Sequence, residues 1–218
     1  MAITRSSNDY DNLFEARHPV MTLLSGPLCV FSHCCRIILL EKDIERSIEY
    51  VAPEDDPSRL GEVNPYGETP TLLDRDLSLY DTSVIAEYLD ERFPHPPLMP
   101  VDPISRAKTR LMISRLTRDW LRPINRFEQN DNLQPPATLK RDIRDGLLVL
   151  SPLLSRQAFF LGPEYTLADA YITPLLWRLP ALGIELSKPG EPLLKYAERM
   201  FKRPSFTGSL SAREAALR

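Results

Sequence analysis

From Val20 onward the chain alternates short apolar runs with longer stretches in which apolar residues recur at helical spacing. Positions 20–24 form a short strand-like run, closed by Ser25, Gly26 and Pro27. Over 31–42, Phe31, Cys34, Cys35, Ile38 and Leu39 fall on one helical face, with Arg36, Glu41 and Lys42 elsewhere. Positions 48–50 alternate as a strand does, and Asp56-Pro57-Ser58 begins a short irregular or helical turn. Two more strands are predicted over 69–73 and 77–80, separated by Asp74-Arg75-Asp76 as hairpin punctuation. A helix over 82–93, with Val84, Ile85, Tyr88 and Leu89 as its apolar stripe, completes the order β, α, β, α, β, β, α.

Beyond Phe93 the pattern changes. Pro94-His95-Pro96-Pro97-Leu98-Met99-Pro100 cannot be helical, since each proline lacks an N–H and biases its predecessor to extended geometry. It reads as a stiff connector. Asp102 and Pro103 supply an N-cap and an N1 proline for a long helix to about 127, bent at Pro123. Met112, Ile113, Leu116, Trp120, Ile124 and Phe127 gather on one side of it, and Arg115, Arg118, Arg122 and Arg126 on the other. Further helices are expected near 139–154, 166–179, 191–202 and 211–217.

Composition narrows the function classes. The 218 residues carry 27 basic and 30 acidic side chains, a formal charge of −3 that argues against extended nucleic-acid coating. Proline (21) far exceeds glycine (8), and no Gly-rich phosphate loop is present. No apolar run approaches the roughly 18 residues of a membrane span, so a cytoplasmic protein without membrane contact is expected. The three cysteines, Cys29, Cys34 and Cys35, lie too close together to staple a fold, and His18, His33 and His95 are scattered, so no metal site is expected. Cys34 and Cys35 read as core thiols.

The segment Asn64-Pro65-Tyr66-Gly67-Glu68-Thr69-Pro70-Thr71-Leu72 resembles the turn before the third strand of the glutathione-transferase fold. That resemblance implies an α/β plus all-α protein, with an N-terminal thioredoxin-like domain built on a mixed four-stranded sheet and a C-terminal helical domain. The boundaries expected are a flexible extension at 1–19, the thioredoxin-like domain at 20–93, a Pro-rich linker at 94–103 and the helical domain at 104–218. It also implies a cis bond before Pro70, which turns the backbone of Thr69 toward a peptide-like ligand. Asp81 and Thr82 match the residues that hold the γ-glutamyl end of glutathione at a helix N-terminus. Thr166-Leu167-Ala168-Asp169 resembles the fold's buried capping box.

The string from Tyr88 to Val101, Asp119-Trp120, and the string from Pro174 to Glu185 are together similar to the stringent starvation protein A family. Members of that family keep the transferase fold as a dimer, lack ordinary transferase activity and associate with RNA polymerase holoenzyme. The resemblance implies a transcription regulator in stress or stationary phase, partnered by polymerase with its sigma factor and meeting DNA only through polymerase. A homodimer, or a heterodimer with a paralogue, is expected, with no cofactor. Pro94, His95 and Pro96 would line its regulatory surface pocket, and Asp102 stands where relatives are expected to carry an aromatic. The alternative is an omega-like glutathione thioltransferase. Cys29-Val30-Phe31 falls where such enzymes carry Cys-Pro-Phe, ahead of a helix N-terminus able to lower a thiol pKa, although Val30 replaces the proline. The arginine stripe is either a solvated or dimer-facing surface or an anionic contact, for nucleic acid, a guanosine tetraphosphate-type alarmone or an acidic polymerase patch. Glutathione is the other small ligand in view.

Overall fold

A computed structural model describes residues 18–51, 57–128 and 135–218. The extension expected at 1–19 lies outside the described residues up to position 17, and His18 and Pro19 already belong to the first strand. The elements of the α/β unit are β1 (His18–Ser25), α1 (Val30–Glu41), β2 (Ser47–Tyr50), α2 (Pro57–Val63), β3 (Thr71–Arg75), β4 (Leu77–Tyr80) and α3 (Thr82–Arg92). The four strands form one mixed sheet in the order β2-β1-β3-β4. Strand β1 runs parallel to β2, with Leu23 opposite Ile48, and antiparallel to β3, with Leu23 opposite Leu72.

Side-chain alternation divides the sheet into two faces. Leu23 and Leu72 point into the main core with α1 and α3, while Leu24 and Leu73 meet Val51 and Leu60 on the other side. The β3–β4 turn is tighter than the sequence implies: Asp74 and Arg75 stay in the strand, Arg75 at φ 55°, and only Asp76 lies between the strands.

The helical part comprises α4 (Pro103–Leu116), α5 (Arg122–Glu128), α6 (Ala137–Leu154), α7 (Leu167–Arg178), α8 (Glu191–Phe201), α9 (Pro204–Thr207) and α10 (Ala212–Ala215). Asp102 caps α4, its Oδ1 accepting from the Ser105 N–H at 2.8 Å. The long helix expected to about 127 is instead broken by a π-helical turn at Thr117–Leu121, one turn ahead of Pro123. A proline ring clashes with the carbonyl four residues back, here Asp119, and the wider turn moves that carbonyl aside. The short helix α9 starts at Arg203-Pro204, where no helix is expected from the periodicity.

Helix α7 is the axis of the core. It packs against α1, α4 and α8, with Ala168, Ala170, Tyr171, Ile172 and Leu175 fully buried. Full burial of each larger apolar side chain stabilises the fold by roughly 1.5–3 kcal/mol. Its expected capping box forms: Asp169 Oδ2 accepts from the Thr166 N–H at 2.9 Å, and Oδ1 accepts from the Phe160 N–H and the Tyr196 hydroxyl. Because α1 and α7 share one interior, the two halves are a single packed body rather than units on a tether. Among the described residues, no helix is long and apolar enough to cross a membrane.

Candidate functional site

The junction of the two halves holds a cleft of about 1090 Å³. One wall comes from the α/β unit. Thr69 and cis-Pro70, the turn before β3, contribute its floor, and Asp81 and Thr82 at the start of α3 contribute its rim. Asn64 organises this wall: its Oδ1 accepts from the Tyr66 N–H at 2.9 Å, and its Nδ2 donates to the Glu68 carbonyl at 2.9 Å and to Thr71 Oγ1 at 3.1 Å. Gly67 closes the same turn at φ 60°, a left-handed conformation that suits glycine. Asp81 also sits at positive φ, 82°, and caps α3 by accepting from the Ser83 N–H and hydroxyl.

The facing wall is cationic. Arg118, Arg122 and Arg126 line it, with Arg110 reaching across the cleft to Glu87 in a bidentate pair at 2.8 and 2.7 Å. Arg115, expected on the same stripe, instead lines a second cavity of about 270 Å³ beside Trp120 and Gly146. The π-helical turn lies between Arg115 and Arg122 and rotates the face there, which a regular helical wheel does not show. Three polar atoms in the cleft lining are buried without a hydrogen-bond partner: Thr69 Oγ1, Asn125 Oδ1 and Tyr171 Oη.

Cys29 is the N-cap of α1 and is 5% exposed. Its thiol donates to the Thr69 carbonyl at 3.5 Å and accepts from the Ser32 N–H at 3.4 Å. Burial pushes its pKa up, and the Ser32 hydrogen bonds, which pull downward, do not cancel that effect. The helix terminus therefore does not deliver a ready thiolate. Gly26 permits this close packing, since a Cβ there would come within 2.6 Å of Thr69 Oγ1 and 2.7 Å of Cys29 Cβ. Cys34 and Cys35 are fully buried in the core.

Behind Cys29 lies a charge cluster of which Arg36, His33, Arg178 and Glu214 are fully buried and Glu128 is 11% exposed. Glu214 of α10 accepts from Arg36 of α1 and, at 2.8 Å, from Arg178 of α7. Arg178 Nε donates to Glu128 at 2.6 Å, and its Nη1 donates to His33 Nδ1 at 3.1 Å. His33 is thus the neutral tautomer with its proton on Nε2, facing Ser209 Oγ at 3.0 Å. Burial, with Arg178 and Arg36 nearby, holds its pKa well below the usual imidazole range. Burial also lifts the Glu128 carboxyl to about 7 despite its contact with Arg178.

Pro94, His95 and Pro96 lie on the surface of the linker and belong to neither cavity. The segment is pinned from below. The buried Lys42 ammonium donates to Asp90 Oδ1 at 2.6 Å, the Phe93 carbonyl at 2.7 Å and the Pro96 carbonyl at 2.6 Å. Asp90 accepts in turn from the Leu98 and Met99 N–H groups at 2.7 and 3.1 Å. The His95-Pro96 bond is cis.

Residues 28–92 match the family model of the glutathione S-transferase N-terminal domain, and residues 111–204 match that of the C-terminal domain. An epsilon-class glutathione S-transferase from the housefly, Musca domestica, superposes with a TM-score of 0.80 over 90% of this chain and 94% of its own, at 18% identity. That likeness concerns the fold. A stringent starvation protein A homolog of Pasteurella multocida is 42% identical over 89% of this chain and 92% of the relative, and one of Coxiella burnetii is 40% identical over 93% and 97%. The chain belongs to the stringent starvation protein A family.

In this family member the residues singled out in the sequence fall in four places, Arg115 alone being in the second cavity. Thr69, Pro70, Asp81, Thr82, Arg118, Arg122 and Arg126 meet in the cleft; Cys29 lies behind the Thr69 carbonyl; Pro94, His95 and Pro96 stand apart on the linker. Sequence reasoning missed Asn64, Glu87, Arg110, Asn125 and Tyr171 in the cleft. Only Asn64 carried a local signal, an Asn-Pro at a turn.

Proposed function

We propose that this chain is a transcription regulator that binds RNA polymerase holoenzyme through the Pro94, His95 and Pro96 segment, acting in the cytoplasm as a homodimer and without transferase activity. Membership of the stringent starvation protein A family leads to this reading. The observation that carries it is the linker: an imidazole flanked by prolines is held at the surface by a buried ammonium with three acceptors. A recognition surface fixed in advance loses little entropy on binding, which favours affinity. The state of Cys29 supports the non-catalytic part, because a thiol that is buried, engaged with a carbonyl and raised in pKa is a poor nucleophile.

The test is capture of purified bacterial RNA polymerase holoenzyme on the immobilised full-length chain, beside the triple variant Pro94→Ala, His95→Ala, Pro96→Ala. Retention of core and sigma subunits by the wild type, and their loss from the folded variant, is the expected result. Failure of the wild type to retain polymerase overturns the reading, and equal retention by the variant overturns the assignment of the segment.

A further inference from the structure

We infer that the second cavity, which lies within the helical part and apart from the cleft, binds a free α-amino acid with an apolar side chain, its carboxylate meeting Arg115 and its ammonium meeting Asp119. This goes beyond the polymerase reading and concerns a different surface. The cavity, of about 270 Å³, lies between α6 on one side and α4 with the π-helical turn on the other. Met112, Leu116, Val149 and Leu150 make its lining largely apolar. The Trp120 indole completes it by packing against Gly146, where a Cβ would come within 2.4 Å of the ring. Val149 is 76% exposed, so apolar surface is left to water at the mouth, and an apolar group seated there removes it from water.

The second observation is the separation of two charges. Residues i and i+4 of a regular α-helix are neighbours, and an arginine and an aspartate so placed attract one another. Arg115 and Asp119 have that spacing and both line the cavity, yet among the described residues no ion pair or hydrogen bond engages either side chain. The π-helical turn starts between them, and its hydrogen bonds, which run to the fifth residue, take Asp119 out of line with Arg115. Turns of this kind inside α-helices are frequent at functional sites. The Trp120 N–H likewise has no acceptor among the described residues. The cavity therefore offers one cation, one anion and a spare donor around an apolar floor. A simple carboxylate would satisfy Arg115 and be repelled by Asp119, and a simple amine would meet the reverse. An α-amino acid carries both charges on a single carbon, which suits positions one helical turn apart, whereas a peptide carries them at opposite ends. The volume falls just under the usual range for drug-sized ligands, about 300–1,000 Å³, and so sets the size at a small metabolite.

The experiment is isothermal titration of the full chain with L-leucine, L-methionine and L-phenylalanine. Each is also used as its N-acetyl form, which lacks the ammonium, and as its amide, which lacks the carboxylate. The variants are Arg115→Gln and Asp119→Asn, both at exposed positions, and the control is Arg141→Gln on α6 outside the cavity. Circular dichroism and the melting temperature check that all are folded, and sedimentation velocity follows the oligomeric state of each. The expected result is saturable binding of at least one of the three amino acids, weakened at least about tenfold by either cavity substitution and by either ligand modification but not by the control, with the oligomeric state unchanged. Absence of saturable binding of all three to the wild type overturns the inference, as does binding that survives both substitutions or is weakened equally in the control. Equal binding of the N-acetyl or amide form also overturns it, because the site then reads one charge only. So does a change of oligomeric state in either variant, which assigns the cavity to a second copy of the chain.

Discussion

Replacing Glu214 by alanine removes one carboxylate from a site where two guanidiniums converge. Its side chain is fully buried, as is that of Arg36, and Arg178 is 1% exposed. The substitution leaves Arg36 with Ser25, Gly26 and Ser209 as neutral acceptors, and Arg178 with Glu128 as its remaining carboxylate. The Ser211 N–H also loses its acceptor. Breaking a buried pair by deleting one partner costs about 3–5 kcal/mol, because the other charge stays desolvated and unpaired. Against a total stability of about 5–15 kcal/mol, that is a large fraction. With an unfolding entropy of about 2.1 cal/mol/K per residue, 218 residues give about 0.46 kcal/mol/K, so a loss of 4 kcal/mol lowers Tm by about 9 °C. Urea denaturation and calorimetry of Glu214→Ala and Glu214→Gln test this. Gln keeps acceptor capacity without the charge and is expected to fall between alanine and wild type. A loss below about 1 kcal/mol for alanine would refute the view that this carboxylate holds α1 and α7 together.

The Glu128 carboxyl, raised to about 7 from 4.5, binds its proton more tightly in the folded state. Its contribution to stability is therefore full below about 4.5 and is lost as pH climbs through 7; Glu128→Gln should remove that contribution, about 3 kcal/mol across the window, read as the difference from wild type in denaturation midpoints at each pH. Lys42→Met removes the buried ammonium beneath the linker, and is expected to destabilise the fold by about 3–5 kcal/mol and to weaken polymerase capture beyond that of an equally destabilised core variant; unchanged midpoints would count against the pinning role. Labelling with a disulfide reagent at pH 8 should modify none of the three thiols in the native chain and all three after unfolding, and rapid native labelling of Cys29 would restore the thioltransferase reading.

Much of the fold was legible because its signals are local. Cys34, Ile38 and Leu39 mark the buried face of α1, Asp102-Pro103 marks the start of α4, and Thr166 with Asp169 marks that of α7. The cis bond before Pro70 was legible only through a family resemblance, since a lone Thr-Pro does not specify its isomer. What stayed hidden depends on partners distant in sequence. Nothing near Arg36 announces a carboxylate at 214, and nothing near Asn125 or Tyr171 announces that both face the cleft. The π-helical turn at 117–121 has no periodic signature, so the stripe ending in Arg126 read as four aligned arginines when three share the cleft.

The pairing of Arg36 with Glu214 also bears on the order in which the chain takes shape at the ribosome. The two lie 178 positions apart, so at about 5–20 residues per second α1 waits roughly 10–40 s for its carboxylate to be synthesised. Until then a cation destined for the interior must stay hydrated, and the nascent α/β unit cannot close its α7-facing side.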